Sequence, residues 1–183
     1  MAGHAKPVIA VQYFSDFDNE LLDIVHAGID SVFDAYIVFL PVVSLPESAY
    51  YTPRKRYRAE KLLDFLVEQC PDDCTKIVGL TAKDISTTKG EYDDWGIFGL
   101  GQLGGRACVV STYRLGRGQV SDKRFHERLV KVINHELGHT FGLLHCSNKG
   151  CLMEDAKGMI KTVDQESGKF CLECKKYLAG IIK

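Results

Sequence analysis

The stretch HELGHTFGLLH, His135 to His145, decides how this sequence is read. Residues four apart on an α-helix share a face, so His135 and His139 can both reach one ion. Glu136 is rotated about 100° round the helix from His135. From there it can meet a water held by that ion without ligating the ion. Gly142 can take the left-handed backbone that ends a helix at little steric cost, and such a turn swings His145 back to the same point. Three neutral imidazoles with an open position are a catalytic zinc arrangement. A zinc ion lowers the pKa of water and polarises a carbonyl, and Glu136 would take the water's proton and pass it to a leaving amine. By composition alone H-E-x-x-H arises in roughly one chain of this length in a hundred, and the offsets of Gly142 and His145 lower that by roughly several hundredfold. The competing reading, histidines that merely satisfy hydrogen bonds, requires no such spacing.

Four of the seven cysteines follow at once. Cys146 and Cys151 enclose four residues, Cys171 and Cys174 enclose two, and 19 residues separate the pairs. Two pairs of this kind fit a closed tetrahedral thiolate zinc site. The intervening loop carries Lys157, Lys161, Asp164, Glu166 and Lys169 and few large apolar residues. Such a loop builds no core of its own, and a metal supplies what burial cannot. Because Cys146 follows His145 directly, the two metal sites must lie close together. Disulfides are the alternative for an exported chain. A redox pair at Cys171 and Cys174 lacks a preceding thioredoxin-like βαβ unit, and unliganded thiols are a third possibility. Cys70, Cys74 and Cys108 read as packing residues or free thiols.

The rest of the composition narrows the class. With 183 residues, 45% hydrophobic and 26% charged, the chain is one globular domain and not a disordered one. Its formal charge of −1 lacks the basic footprint of a nucleic-acid binder. That also disfavours a nucleic-acid module built on the four cysteines. No apolar run approaches the roughly 18 residues that span a bilayer, and Pro7 to Val11 is too short for a signal-peptide core. The expectation is a cytoplasmic monomer that engages neither nucleic acid nor membrane.

Outward from the histidines, the long helix that carries them begins at Ser121 or Asp122, with Phe125, Leu129, Val132 and Glu136 on one face. Upstream, Val8 to Phe14 reads as a strand, and Ser15 to Asp18 start a helix marked by Leu21, Leu22, Val25, Ile29 and Val32. Ala35 to Val43 reads as a second strand, with Pro41 indicating an edge or an early end. Tyr57 to Cys70 is predicted helical, Lys76 to Thr81 a buried strand, and Trp95 to Gly101 and Ala107 to Leu115 two strands joined by a glycine-rich turn. This order predicts a mixed α/β layer. Residues 1–142 form its main part and 143–183 an irregular, cysteine-rich appendage. Gly99, Gly101 and Gly104 match the dinucleotide fingerprint, but a strand follows them and no helix N-terminus is available for a pyrophosphate. They read as a hairpin turn, whose exposed strand could pair with an extended peptide.

The string from His135 to His145, continued through Cys146, Cys151, Met153, Cys171 and Cys174, resembles the archaemetzincin signature within the metzincin zinc peptidases. The resemblance implies two zinc ions per chain. One is catalytic, on His135, His139 and His145 with Glu136 as general base; the other is structural, on Cys146, Cys151, Cys171 and Cys174. It implies Met153 as a hydrophobic base beneath the catalytic ion. It also implies a zincin-like α+β fold, with a twisted sheet and two long helices in an upper subdomain and a small lower subdomain. The activity implied is a metallopeptidase, endopeptidase or aminopeptidase, acting on peptides or protein segments. The alternative is a non-catalytic zinc protein that binds a peptide or partner in the same cleft. An intact Glu136 argues against that alternative, since a pure binder has no need of the carboxylate.

Overall fold

The computed structural model describes residues 6–181. Three apolar, β-branched runs form its centre: β1 (Val8–Tyr13), β5 (Lys76–Thr81) and β9 (Ala107–Ser111). Strands covered on both faces need such continuous apolar runs, and every residue of β9 is buried. With β2 (Tyr36–Phe39) and β8 (Gly99–Gly101) they form a sheet in the order β2-β1-β5-β9-β8, parallel except where β8 runs antiparallel to β9. Alternate residues face opposite ways. Cys108 and Val110 therefore face the core shared with α1 (Leu22–Phe33) and α3 (Asp122–Thr140). Ala107 and Val109 face the opposite core, under α2 (Ala59–Gln69).

A second sheet, β3-β4-β6-β7, combines β3 (Tyr50–Tyr51), β4 (Arg56–Arg58), β6 (Ile85–Lys89) and β7 (Tyr92–Ile97). The segment read as one strand from Trp95 to Gly101 is therefore two. The chain leaves one sheet after Ile97 and enters the other at Gly99, and the Phe98 carbonyl already accepts from Ser111 N at 2.8 Å. The predicted helix from Tyr57 begins only at Ala59, because Tyr57 and Arg58 pair with Ile85 and Ser86. The strand expected over Ala35 to Val43 stops at Phe39 on the sheet edge, where Pro41 offers no N–H to continue it.

Helix α3 is about 28 Å long at 1.5 Å per residue. Ser121 caps it by accepting from Arg124 N, satisfying one of the first-turn amides. Leu129, Val132, Ile133 and Leu137 form its buried stripe, and Asn134 Nδ2 donates to Gly28 O of α1 at 2.9 Å. The segment after Gly142 is more regular than its composition suggested, containing α4 (Ile160–Gln165) and α5 (Leu172–Ile181). Its Leu152, Met153, Val163, Phe170 and Leu178 join the same core as α1 and α3. Among the described residues no helix is long and apolar enough to cross a membrane.

Candidate metal centres and active site

His135 and His139 lie one turn apart on α3, with their Nε2 atoms 3.1 Å from each other. Gly142, at φ +91°, turns the chain after the helix and brings His145 back, with ring centroids 5.4 Å from His135 and 4.9 Å from His139. One donor atom from each of the three can be chosen so that all lie within 4.8 Å of one another. Nitrogens about 2.05 Å from a tetrahedral zinc ion stand about 3.3 Å apart, so the first pair already has the spacing the ion requires.

The tautomers follow from the outer partners. His135 Nδ1 lies 2.7 Å from Leu152 O, and His139 Nδ1 lies 2.7 Å from Leu143 O. A carbonyl oxygen only accepts, so each Nδ1 carries the proton and each Nε2 presents its lone pair inward. Burial holds the His135 pKa down at about 4, and it lowers that of His139 as well. Both rings are neutral at pH 7, the form that ligates. His145 is half exposed and has a different neighbour, the Asp155 carboxylate.

Met153 is fully buried, with its Sδ against Gly138, between the two histidine turns of α3. Leu152 O and Met153 O point to opposite tasks: the first fixes His135, and the second accepts from Cys146 N at 2.7 Å. One turn of chain thus locks the histidine cluster and the first cysteine together. Glu136 projects under β8, and burial raises its carboxyl to about 8 against the opposing pull of the Gly101 amide.

Cys146, Cys151, Cys171 and Cys174 converge, with sulfur atoms within 4.8 Å of one another. The pairs Cys146–Cys171 and Cys151–Cys174 each stand 3.8 Å apart. That is nearly twice a disulfide bond length and matches the roughly 3.8 Å edge of a tetrahedron with zinc–sulfur distances of 2.3 Å. The Cys174 amide and Asn148 hold the Cys171 thiol down at about 6, while burial pushes Cys151 and Cys174 up. The donor chemistry of both clusters fits zinc. Cys70, Cys74 and Cys108 lie apart from this cluster as free, buried thiols.

A cleft of about 430 Å³ opens onto the histidines. Its upper wall runs from Trp95 through Gly101 and its lower wall from Asp155 to Gly158. A methyl group on Gly158 would touch the Trp95 ring at 3.6 Å, so the two walls nearly meet at that end. A smaller recess of about 50 Å³ shares Phe98, His135, Glu136 and Ala156 with the cleft. The seven candidate ligands, Glu136 and Met153 singled out in the sequence all come together in this region. Sequence reasoning missed Asp155, Trp95 and the carbonyls of Leu143 and Leu152. Backbone acceptors leave no residue-type signal, and Asp155 is one charge in a highly charged segment.

A sheet whose edge strand roofs a long helix, with that helix's histidines completed by a third beyond a tight turn, is the architecture of the metzincin-like zinc peptidases. A profile of peptidase family M54 matches residues 9–179. The archaemetzincin of Halobacterium salinarum is 34% identical over 157 residues, covering 82% of this chain and 87% of that one. The crystal structure of archaemetzincin from Methanopyrus kandleri matches with a TM-score of 0.84 and 29% identity, covering 100% of this chain and 98% of that one. The malonate complex of archaemetzincin from Archaeoglobus fulgidus gives 0.79 and 28%, covering 93% and 99%. The chain belongs to peptidase family M54, the archaemetzincins.

Proposed function

We propose that this zinc-dependent peptidase hydrolyses peptide bonds with Glu136 as general base, and that it holds two zinc ions per chain. The observation that carries the reading is the pair of Nδ1 contacts that aim His135 and His139 Nε2 at one point, with His145 completing the set. A zinc ion held there supplies a Lewis acid for the scissile carbonyl and for an attacking water. Glu136 takes a proton from that water on its carboxylate and delivers it to the departing amine. Met153 packs beneath the cluster and keeps the two histidine turns dry. The four thiols hold a second zinc that staples residues 143–181, where α4 and α5 bury few side chains of their own.

The substrate is a peptide or an exposed protein segment. Strand β8 is the free edge of its sheet, and an extended chain can add to it through backbone hydrogen bonds. A charge of −1 gives no attraction for nucleic acid. The expected state is a cytoplasmic monomer.

The test is a diverse peptide library, read by mass spectrometry, with zinc-loaded wild type beside Glu136→Gln. Cleavage by the wild type alone, with equal zinc in both proteins, supports the assignment. Equal cleavage by both, or loss of zinc from the variant, overturns the role given to Glu136. Blocking the amino ends of the library separates action within a chain from action at its end.

A further inference from the structure

The glycines that imitate a dinucleotide fingerprint have a different use. In strand β8, Phe98 O accepts from Ser111 N and Gln102 N donates to Ala107 O. Leu100 sits opposite Val109 between them. In an antiparallel ladder the backbone groups alternate between the partner and the free edge. Gly99 and Gly101 therefore direct their N–H and C=O groups away from β9. Their missing side chains lie on the α3 side. A Cβ on Gly99 would stand 2.7 Å from Glu136 Cγ and 2.9 Å from Glu136 Oε1. A Cβ on Gly101 would stand 2.5 Å from Glu136 O and 3.0 Å from His139 Cβ. Leu100, between them, turns to the opposite core.

We propose that Gly99 and Gly101 are positioning residues that form a notch seating the Glu136 side chain. The inference rests on the reading of Glu136 as general base. The notch also explains why this edge strand tolerates two glycines, which otherwise weaken a strand.

The two positions separate activity from stability. At Gly99 the obstructed atoms include the movable end of the Glu136 side chain, so Gly99→Ala displaces the base and leaves the helix in place. A misplacement of about 1 Å can cost about 100-fold in rate. Gly99→Ala is therefore expected to lose kcat on that scale with KM and zinc content unchanged, and, because its Cβ also meets Val109 O at 3.0 Å, to lose some melting temperature but less than Gly101→Ala. Gly101→Ala strikes helix backbone and is expected to lose both kcat and melting temperature. Gly90→Ala, at a positive-φ turn position with open space around it, should lower melting temperature and leave kcat unchanged. Independently of turnover, the Gly99 amide resonance should shift in NMR spectra of Glu136→Ala, because the side chain that fills the notch is removed. Wild-type kcat in Gly99→Ala, or a Gly99 resonance indifferent to Glu136→Ala, overturns the proposal. Absence of turnover in the wild type would count against the peptidase reading instead, and the resonance would still decide the notch.

Discussion

The Asp155 carboxylate stands 3.8 Å from His145 Nδ1, whereas the Nδ1 atoms of His135 and His139 each rest 2.7 Å from a backbone carbonyl. Two metal-site histidines are thus held by rigid main chain and the third by a flexible, half-exposed side chain. The third histidine is the one whose position depends on a replaceable residue. Loss of an outer-shell partner commonly weakens metal binding by about 10- to 100-fold, and exposure places this pair at the low end. Asp155→Asn should weaken zinc affinity at the histidine site about 10-fold, as read by chelator competition. Unchanged affinity would show that Asp155 does not support His145.

The thiol cluster carries a stability prediction. Cys171→Ser should lose one of two zinc ions and lower unfolding free energy by at least about 3 kcal/mol, a fraction of what structural zinc contributes in zinc-finger peptides. Metal analysis and urea unfolding together check it. A variant that kept two ions and full stability would remove the structural role.

Glu166, which lines the small recess beside His135 and Glu136 without belonging to either ligand set, supplies a pH dependence. Burial pushes its carboxyl up to about 7, although Gly168 N donates to it at 2.7 Å. A carboxyl raised above its unfolded value binds more protons in the folded state, so stability falls as pH rises. The loss begins near the ordinary carboxylate value and is complete above 7. At about 1.4 kcal/mol per unit it comes to roughly 3–4 kcal/mol. Urea titrations at pH 5 and pH 8 should show this decline in the wild type. Glu166→Gln should be flatter across that window and more stable at pH 8.

Gly142 joins the active-site helix to His145, and two obstacles oppose a side chain there. Its φ of +91° is disfavoured for other residues, and a Cβ would lie 2.9 Å from Tyr177 Oη. Gly142→Ala should cost about 1–3 kcal/mol and reduce zinc retention by displacing His145. Adding Tyr177→Phe should recover the steric part alone, a partial rescue visible in the melting temperature.

Both metal clusters were legible because their chemistry depends on residue type and spacing. His135, His139, His145 and the four cysteines announce themselves at fixed offsets, and the apolar runs of β1, β5 and β9 announce the sheet. The second sheet was not legible. Strand β6 reads ISTTK, with its last two residues exposed, so it lacks the apolar run that marks a buried strand. Without it, β7 and β8 merged into one predicted strand. Helices α4 and α5 escaped for a related reason. Polar clamps carry much of the attachment of α4: Arg128 grips Asp164 at 2.7 and 2.8 Å, and Lys131 Nζ donates to Val163 O and Glu166 O. Helix α5 buries only Cys174 and Leu178 among its residues. Neither helix needs an apolar stripe long enough to read as periodicity.

The turn from Cys151 to Met153 has a consequence for the order in which the protein matures. Leu152 O fixes His135, and Met153 O fixes the residue after His145, yet Cys171 and Cys174 lie 26 and 29 residues beyond that histidine. A ribosome therefore delivers all three histidines well before the thiols that brace their supporting turn. The last thiols to be made thus brace, through one turn of chain, the carbonyl that orients the first histidine.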